Sequence, residues 1–259
     1  MARFAEGAPC WADVTLPDLA AGKRFYGELF EWTFDEEADE AYGYYTNAFR
    51  DGKRVAGLVA KRDGRMPTAW GIYFATSDAI ALTTRIEEAG GRVIMAPMQV
   101  GPYGTMAVAA DPGGAVFGIW QAGAHAGFER IREPGSFCWT EVNTRDKERV
   151  DPFYESLFGF VGQDVDEEDI DYRTWSPVGS PPGVETALLG RNVMGDAFPP
   201  EMPPHFLVYL FVEDCDGTAD EAARLGGRIS APPVSTTFGR IAVLADNQGA
   251  SFAVLEELE

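Results

Sequence analysis

Pro9-Cys10-Trp11-Ala12-Asp13-Val14-Thr15, running on to Phe25-Tyr26-Gly27-Glu28-Leu29-Phe30-Glu31-Trp32, is written twice in this chain. The second copy is Ser136-Phe137-Cys138-Trp139-Thr140-Glu141-Val142-Asn143, running on to Phe153-Tyr154-Glu155-Ser156-Leu157-Phe158-Gly159-Phe160. Cys10 and Cys138, Trp11 and Trp139, Phe25 and Phe153, and Phe30 and Phe158 each lie 128 positions apart (138 − 10), without a gap. A constant offset over a whole segment marks a duplicated folding unit. Within it, Cys10, Ala12, Val14 and Leu16 alternate with Trp11, Asp13 and Thr15, the period of a strand. Asp18 suits a helix N-cap, and Phe25, Tyr26, Leu29 and Phe30 make one helical stripe. The small-residue strand face can pack on that helix, which leaves Trp11 and Asp13 facing the other way.

Working outward, short strands are expected at 32–34, 42–49 and 54–61, with Asp51-Gly52 as a hairpin signal. After a polar connection at 62–68 the order βαβββ starts again. A strand at 70–76 leads to a helix capped by Ser77-Asp78 and stopped by Gly90-Gly91. Strands at 92–96, 103–110 and 115–121 follow, with Asp111-Pro112-Gly113-Gly114 as the turn before the last. The second half repeats the scheme, with a strand at 206–212 and a helix at 213–225. Ala89-Gly90-Gly91-Arg92-Val93 matches Leu225-Gly226-Gly227-Arg228-Ile229, and Asp111…Ala115-x-Phe117 matches Asp246…Ala250-x-Phe252. The offset there is 135 (246 − 111), and the added residues are assigned to 177–204, rich in Pro and Gly. A loop of that length is either functional or a tolerated surface insertion. The fold class expected is α+β: four βαβββ modules in two tandem domains, 1–121 and 136–259, joined by a linker at 122–135.

Composition narrows the function classes. The 259 residues carry a net charge of −20, from 41 acidic and 21 basic side chains. Such a surface repels phosphate backbones and anionic lipid, so no nucleic-acid and no membrane partner is expected. Three cysteines without a CxxC pair argue for a reducing compartment. No segment approaches the ~20 apolar residues of a membrane span, and the first residues show no apolar run of the signal-peptide kind. A cytoplasmic location is expected. Walker A, GxGxxG, HExxH and GxSxG motifs are absent.

The four modules, the Pro-Asp that ends strand one, the Phe-Tyr helix and the Asp-Pro-Gly-Gly turn together resemble the vicinal oxygen chelate superfamily. This is the glyoxalase, bleomycin-resistance and extradiol-dioxygenase fold. The resemblance covers nearly the whole chain. Trp-x-Asp or Trp-x-Glu in strand one of a tandem chain looks like its subgroup labelled hydroxylases or glyoxalase-like proteins. The resemblance implies curved mixed sheets whose modules pair around a cup-shaped cleft. Enzymes of the superfamily hold a divalent metal there, which chelates two adjacent substrate oxygens. Its resistance proteins use the cleft, without a metal, to sequester drugs.

The resemblance also implies metal ligands in strands one, five and eight. Aligned on the shared anchors, those positions are Trp11 and Trp139, Gly71 and Leu207, and Gly118 and Ala253. None offers a side-chain ligand. No histidine occurs through Gln121; the two in the chain are His125, in the linker, and His205. A site of two histidines and a carboxylate therefore cannot be built in the first half. A carboxylate-only site stays open. No cofactor is expected.

If the ligand positions face the cleft, strand parity points Trp11, Asp13, Trp139 and Glu141 inward with Tyr73, Trp120 and Tyr209. Each half then has an aromatic cup with one acid. Trp11, Tyr73, Trp120, Trp139 and Tyr209 are the candidate ligand-binding residues. Asp13 and Glu141 are candidate catalytic acids with raised pKa values, able to act as general bases without a metal. His205, after Pro203-Pro204, is a third candidate acid/base. Plainer readings stand beside these: tryptophans that fill a closed pocket, acids bonded to nearby backbone, and a strand-edge histidine without chemistry. Cys10 and Cys138 should be inert core thiols.

The function expected is metal-independent binding of a small, aromatic or natural-product-like molecule, by sequestration or weak acid/base modification. One alternative is a metal-dependent glyoxalase-like lyase or a dioxygenase/hydroxylase with an atypical site. The other is a non-catalytic interaction protein with filled clefts. A monomer is expected, with a homodimer as its alternative.

Overall fold

The computed structural model describes residues 3–36, 42–64, 66–167 and 170–257. The first half runs β1 (Pro9–Leu16), α1 (Leu19–Phe30), β2 (Thr33–Phe34), β3 (Thr46–Arg50), β4 (Lys53–Ala60), β5 (Ala69–Ala75), α2 (Ala79–Glu88), β6 (Arg92–Val100), β7 (Gly104–Ala110) and β8 (Val116–Ala122). The second half repeats that order as β9 (Phe137–Thr144), α3 (Lys147–Phe158), β10 (Val161–Glu167), β11 (Ile170–Ser176), β12 (Leu189–Val193), β13 (His205–Phe211), α4 (Cys215–Arg224), β14 (Arg228–Thr236), β15 (Gly239–Ala245) and β16 (Ser251–Glu256). The fold is α+β, with two eight-stranded mixed sheets ordered β2-β3-β4-β1-β5-β8-β7-β6 and β10-β11-β12-β9-β13-β16-β15-β14. No helix among the described residues is long and apolar enough to cross a membrane.

Local chemistry sets the element ends. Asp18 Oδ1 accepts from the Ala21 amide at 3.0 Å, and Asp78 Oδ1 from the Ile80 and Ala81 amides at 3.1 and 3.0 Å. These bonds satisfy amide groups that the first helical turn leaves open. The strand expected at 42–49 is shorter: Gly43 and Tyr44 take φ of +68° and +61°, which breaks extended backbone until Thr46. The strand expected at 92–96 continues to Val100 through Pro97. An edge strand tolerates that proline, because the missing amide would face no neighbour. The expected helix at 213–225 starts at Cys215, behind the N-cap Asp214.

Two compact units form, and each takes residues from both halves of the sequence. The first comprises Met1–Trp11, Ile72–Gly127 and Thr140–Phe206; the second comprises Ala12–Gly71, Phe128–Trp139 and Leu207–Glu259. In the first, Phe74, Phe117, Phe153, Tyr154 and Phe206 form an aromatic core. In the second, Phe25, Tyr26, Phe30, Trp32, Trp70 and Phe252 do the same.

Each core is pinned by one tyrosine–aspartate bond. Tyr154 donates to Asp111 Oδ2 at 3.0 Å in the first unit, and Tyr26 to Asp246 Oδ2 at 2.8 Å in the second. The other oxygen of each aspartate closes its own turn: Asp111 Oδ1 accepts from Gly114 and Ala115, Asp246 Oδ1 from Gln248 and Ala250. Burial pushes both phenols well above the ordinary tyrosine range. It raises the Asp111 carboxyl too, against the bonds it accepts. The thiols are buried and unreactive in the same way. Burial pushes Cys10 and Cys138 far up, and Cys215 up to about 11.

Candidate functional site

In the second unit, Asp13 stands on β1 opposite Gly57 of β4, in parallel register, and is 6% exposed. Tyr45, one residue before β3, donates its hydroxyl to Asp13 Oδ2 at 3.3 Å. The tip of that ring takes the space a side chain at 57 would fill: a Cβ on Gly57 would lie 2.0 Å from Tyr45 Oη. A Cβ on Gly71 would lie 3.4 Å from Asp13 Oδ1, an ordinary van der Waals contact.

The first unit repeats this construction with different polar partners. Glu141 of β9 is buried opposite Gly190 of β12. A Cβ on Gly190 would lie 2.0 Å from Tyr172 Oη. Asn143 Nδ2 donates to Glu141 Oε1 at 3.4 Å, and Asn143 Oδ1 accepts from Asn192 Nδ2 at 2.8 Å. An acid on the first strand, a glycine opposite it and a tyrosine laid over the glycine thus occur in both halves.

The aromatic candidates divide. In the first unit, the Trp11 ring meets His125 edge-on, with centroids 4.4 Å apart. His125 also meets Trp120 at 5.6 Å, and Trp120 Nε1 donates to the His125 carbonyl at 2.8 Å. Tyr73 stands opposite Gly118 of β8 and lies across it, where a Cβ would come 2.2 Å from its Cδ1. Two cross-strand rows run along this face. Met98 is opposite Met106, which is opposite Trp120; Met95 is opposite Val108, which is opposite Gly118. Met98 and Val116 are each about half exposed.

In the second unit the matching rows are aliphatic. Val234 is opposite Ile241, which is opposite Leu255; Ala231 is opposite Val243, which is opposite Ala253. Tyr209 is buried in a cluster with Cys138, Leu207 and Ala253, against which the partly buried Trp139 packs. The second half therefore holds less of an aromatic cup than the first, because Leu255 stands where Trp120 does.

His205 opens β13, and its Nδ1 lies 2.9 Å from the Pro203 carbonyl two residues back. A carbonyl only accepts, so Nδ1 carries a proton. Among the described residues no other side chain is bonded to His205 or stacked on it.

Sequence reasoning missed Tyr45, Tyr172 and His125. The mid-strand glycines Gly57 and Gly190 carried the signal for the tyrosines, since a glycine inside a strand marks a close approach. His125 had no such signal, because residues 122–135 have no apolar period.

A family profile described as Glyoxalase/Bleomycin resistance protein/Dioxygenase superfamily matches residues 11–119. Anthracycline biosynthesis protein DauV of Streptomyces sp. (strain C5) is 39% identical over 270 residues, covering 99% of this chain and 95% of its own. The chain belongs to the glyoxalase/bleomycin resistance protein/dioxygenase superfamily. Anthracycline biosynthesis protein DnrV of Streptomyces peucetius is 40% identical over 270 residues, with the same coverage of 99% and 95%. Among solved structures, the Mn(II)-bound glyoxalase of Novosphingobium aromaticivorans superposes with a TM-score of 0.67 at 17% identity, covering 99% of this chain and 84% of that one. The 2,3-dioxygenase LapB of Pseudomonas sp. KL28 gives 0.67 at 12%, covering 98% and 94%. These two likenesses are of fold.

The metal that the superfamily implies does not fit the residues present. Its positions in strands one, five and eight hold Trp11, Gly71 and Gly118 in one half and Trp139, Leu207 and Ala253 in the other. None has a donor atom suited to a hard or borderline cation, and Tyr73 already covers Gly118. Among the described residues, the grouping of three acidic side chains with ligand atoms within 4.8 Å is Asp214, Asp216 and Glu256, at the start of α4. Arg240 bonds Asp216 there, and the Cys215 amide bonds Glu256 at 2.8 Å.

Proposed function

We propose that the chain binds a small planar aromatic molecule without a resident metal, one molecule per chain, and either holds it or changes it by acid/base chemistry alone. The observation that carries this reading is the face of the first unit where Tyr73, Trp120 and the Trp11–His125 pair accompany Met95, Met98 and Met106. Rings supply area and stacking geometry. Methionine thioethers make favourable contacts with rings and adapt to their outline. Partly exposed apolar side chains grouped on one face are the ordinary mark of a binding surface. The aliphatic rows of the second unit favour one molecule per chain rather than two.

Two relatives near 40% identity are described as anthracycline biosynthesis proteins, so a polycyclic anthracycline is the ligand class to test first. Asp13 and Glu141, one in each unit, are proposed as acid/base groups.

Titration with an anthracycline, followed by quenching of tryptophan fluorescence, tests the reading. Saturable quenching with a Kd near 1 µM, about −8 kcal/mol, and a stoichiometry of one is expected. Trp120→Leu, which installs the residue found at 255, should weaken binding about tenfold. Absence of saturable binding, or binding indifferent to Trp120→Leu, would count against it.

A further inference from the structure

We propose that Met98 is an oxidation site, and that conversion of its thioether to the sulfoxide by a hydroperoxide weakens binding on the face where it lies. The inference rests on the reading that this face of the first unit takes a planar aromatic ligand, and it names a covalent change that releases that ligand.

Exposure and register carry it. β6 is the last strand of its sheet, and Met98 on it is 49% exposed. The other described methionines, Met66, Met95, Met106, Met194 and Met202, are half-buried or buried. A hydroperoxide must reach the sulfur lone pair to react, so the most exposed thioether is attacked first. Met98 also belongs to the face and not to an unrelated surface. It stands opposite Met106, which stands opposite Trp120.

The second unit supplies the contrast. Val234, Ile241 and Leu255 hold the matching places there, and residues 207–259 contain no methionine. The same rows are thus built from branched aliphatic side chains that hydroperoxides leave alone. The fold does not require sulfur at 98.

The chemistry is a two-electron oxygen transfer. A sulfur lone pair attacks one oxygen of the hydroperoxide, the O–O bond breaks and an S–O bond forms. With hydrogen peroxide, the second oxygen leaves as hydroxide and takes the proton of the transferred oxygen, giving sulfoxide and water. The sulfur is oxidised and the peroxide reduced. A flexible apolar side chain becomes a polar one. A ring laid over it covers an oxygen that has lost its water and gains no donor in exchange, and the favourable thioether–ring contact is lost.

The test treats the full chain with hydrogen peroxide to one added oxygen per chain, removes the oxidant, locates the oxygen by peptide mass spectrometry and titrates doxorubicin, a soluble anthracycline, by calorimetry. The oxygen should be on Met98, and affinity should fall about tenfold. Methionine sulfoxide reductases should restore it. Met98→Leu should bind about threefold more weakly than the parent, and peroxide should change that affinity by less than about twofold. Met98→Gln, which sets a polar group of similar length in place, should bind like the oxidised parent without any oxidant. An oxygen found first on another methionine overturns the inference and leaves the proposed function standing. So does oxidised Met98 with unchanged affinity, or an affinity loss that comes with loss of the melting transition. A parent that does not bind doxorubicin overturns both.

Discussion

Tyr26 donates its hydroxyl to Asp246 Oδ2 at 2.8 Å, across 220 positions of sequence, while accepting from Trp70 Nε1 at 3.0 Å. Tyr154 and Asp111 make the matching bond at 3.0 Å. The two sequence signatures of the repeat, the Phe-Tyr helix and the Asp-turn, are thus joined to each other, the helix of one half to the turn of the other. Tyr26→Phe should cost about 2–3 kcal/mol, since it leaves a buried acceptor and the Trp70 donor without their partner. Tyr154→Phe lacks the tryptophan and should cost about 1–2 kcal/mol. Urea denaturation midpoints at constant m-value give both numbers, and a Tyr26→Phe variant as stable as the parent would contradict this account.

Because both compact units draw on both halves, residues 1–121 and 136–259 expressed separately should each lack a cooperative unfolding transition. Mixing them should restore one. Circular dichroism melts of each half and of the mixture decide it; a half that melts sharply by itself would refute the prediction.

Gly57→Ala should push the Tyr45 hydroxyl away from Asp13. The colliding atom is the far end of a side chain, so the ring can swing aside at a cost of about 1–2 kcal/mol rather than unfold the sheet. Urea denaturation gives the number, and a Gly57→Ala variant as stable as the parent would show that the contact does not matter.

Arg191 is 1% exposed, with Asp151 holding its Nε and Nη2 at 3.0 and 3.1 Å and the Asp171 carboxylate its Nη1 at 2.6 Å. Leu58 occupies the equivalent place in the first half. Arg191→Met should cost about 3–5 kcal/mol, because it strands a partly buried carboxylate. Adding Asp151→Leu should recover part of that loss. A single variant that melts with the parent would remove the network from the account of stability.

Acid should act on two carboxylates in opposite directions. Bonding to Lys147 and Arg191 holds Asp171 below the usual range, so its contribution is full at neutral pH and lost as pH falls through its folded value. Burial raises Asp111, so the folded protein takes up that proton at higher pH than the unfolded chain, and protonation favours the fold. Stability measured from pH 7 down to 3 should therefore fall less steeply in Asp171→Asn than in the parent, and more steeply in Asp111→Asn. The reverse order would contradict both assignments.

Much of the fold was legible in the sequence because its signals are local. Alternation in 9–16, the Asp caps and the paired glycine stops each depend on neighbours within one turn or one strand. The bonds that join Tyr26 to Asp246 and Tyr154 to Asp111 leave no such trace, since a tyrosine at a helical core position looks the same with or without a distant acceptor. Asp13 and Glu141 were legible as acids on an otherwise apolar strand. Tyr45 was hidden by a stretch that reads as one strand but is broken by left-handed Gly43 and Tyr44. The difference between the two aromatic cups was visible only once register gave Leu255, opposite Ile241, the place that Trp120 holds opposite Met106.

The most direct test of the central claim is a calorimetric titration of chelator-treated protein with an anthracycline, repeated after addition of Mn2+ and Fe2+. Metal-free protein should bind one molecule per chain with a Kd near 1 µM, unchanged by either ion, about −8 kcal/mol in each case. Binding that appears only after metal is restored, or no binding in any condition, would contradict it.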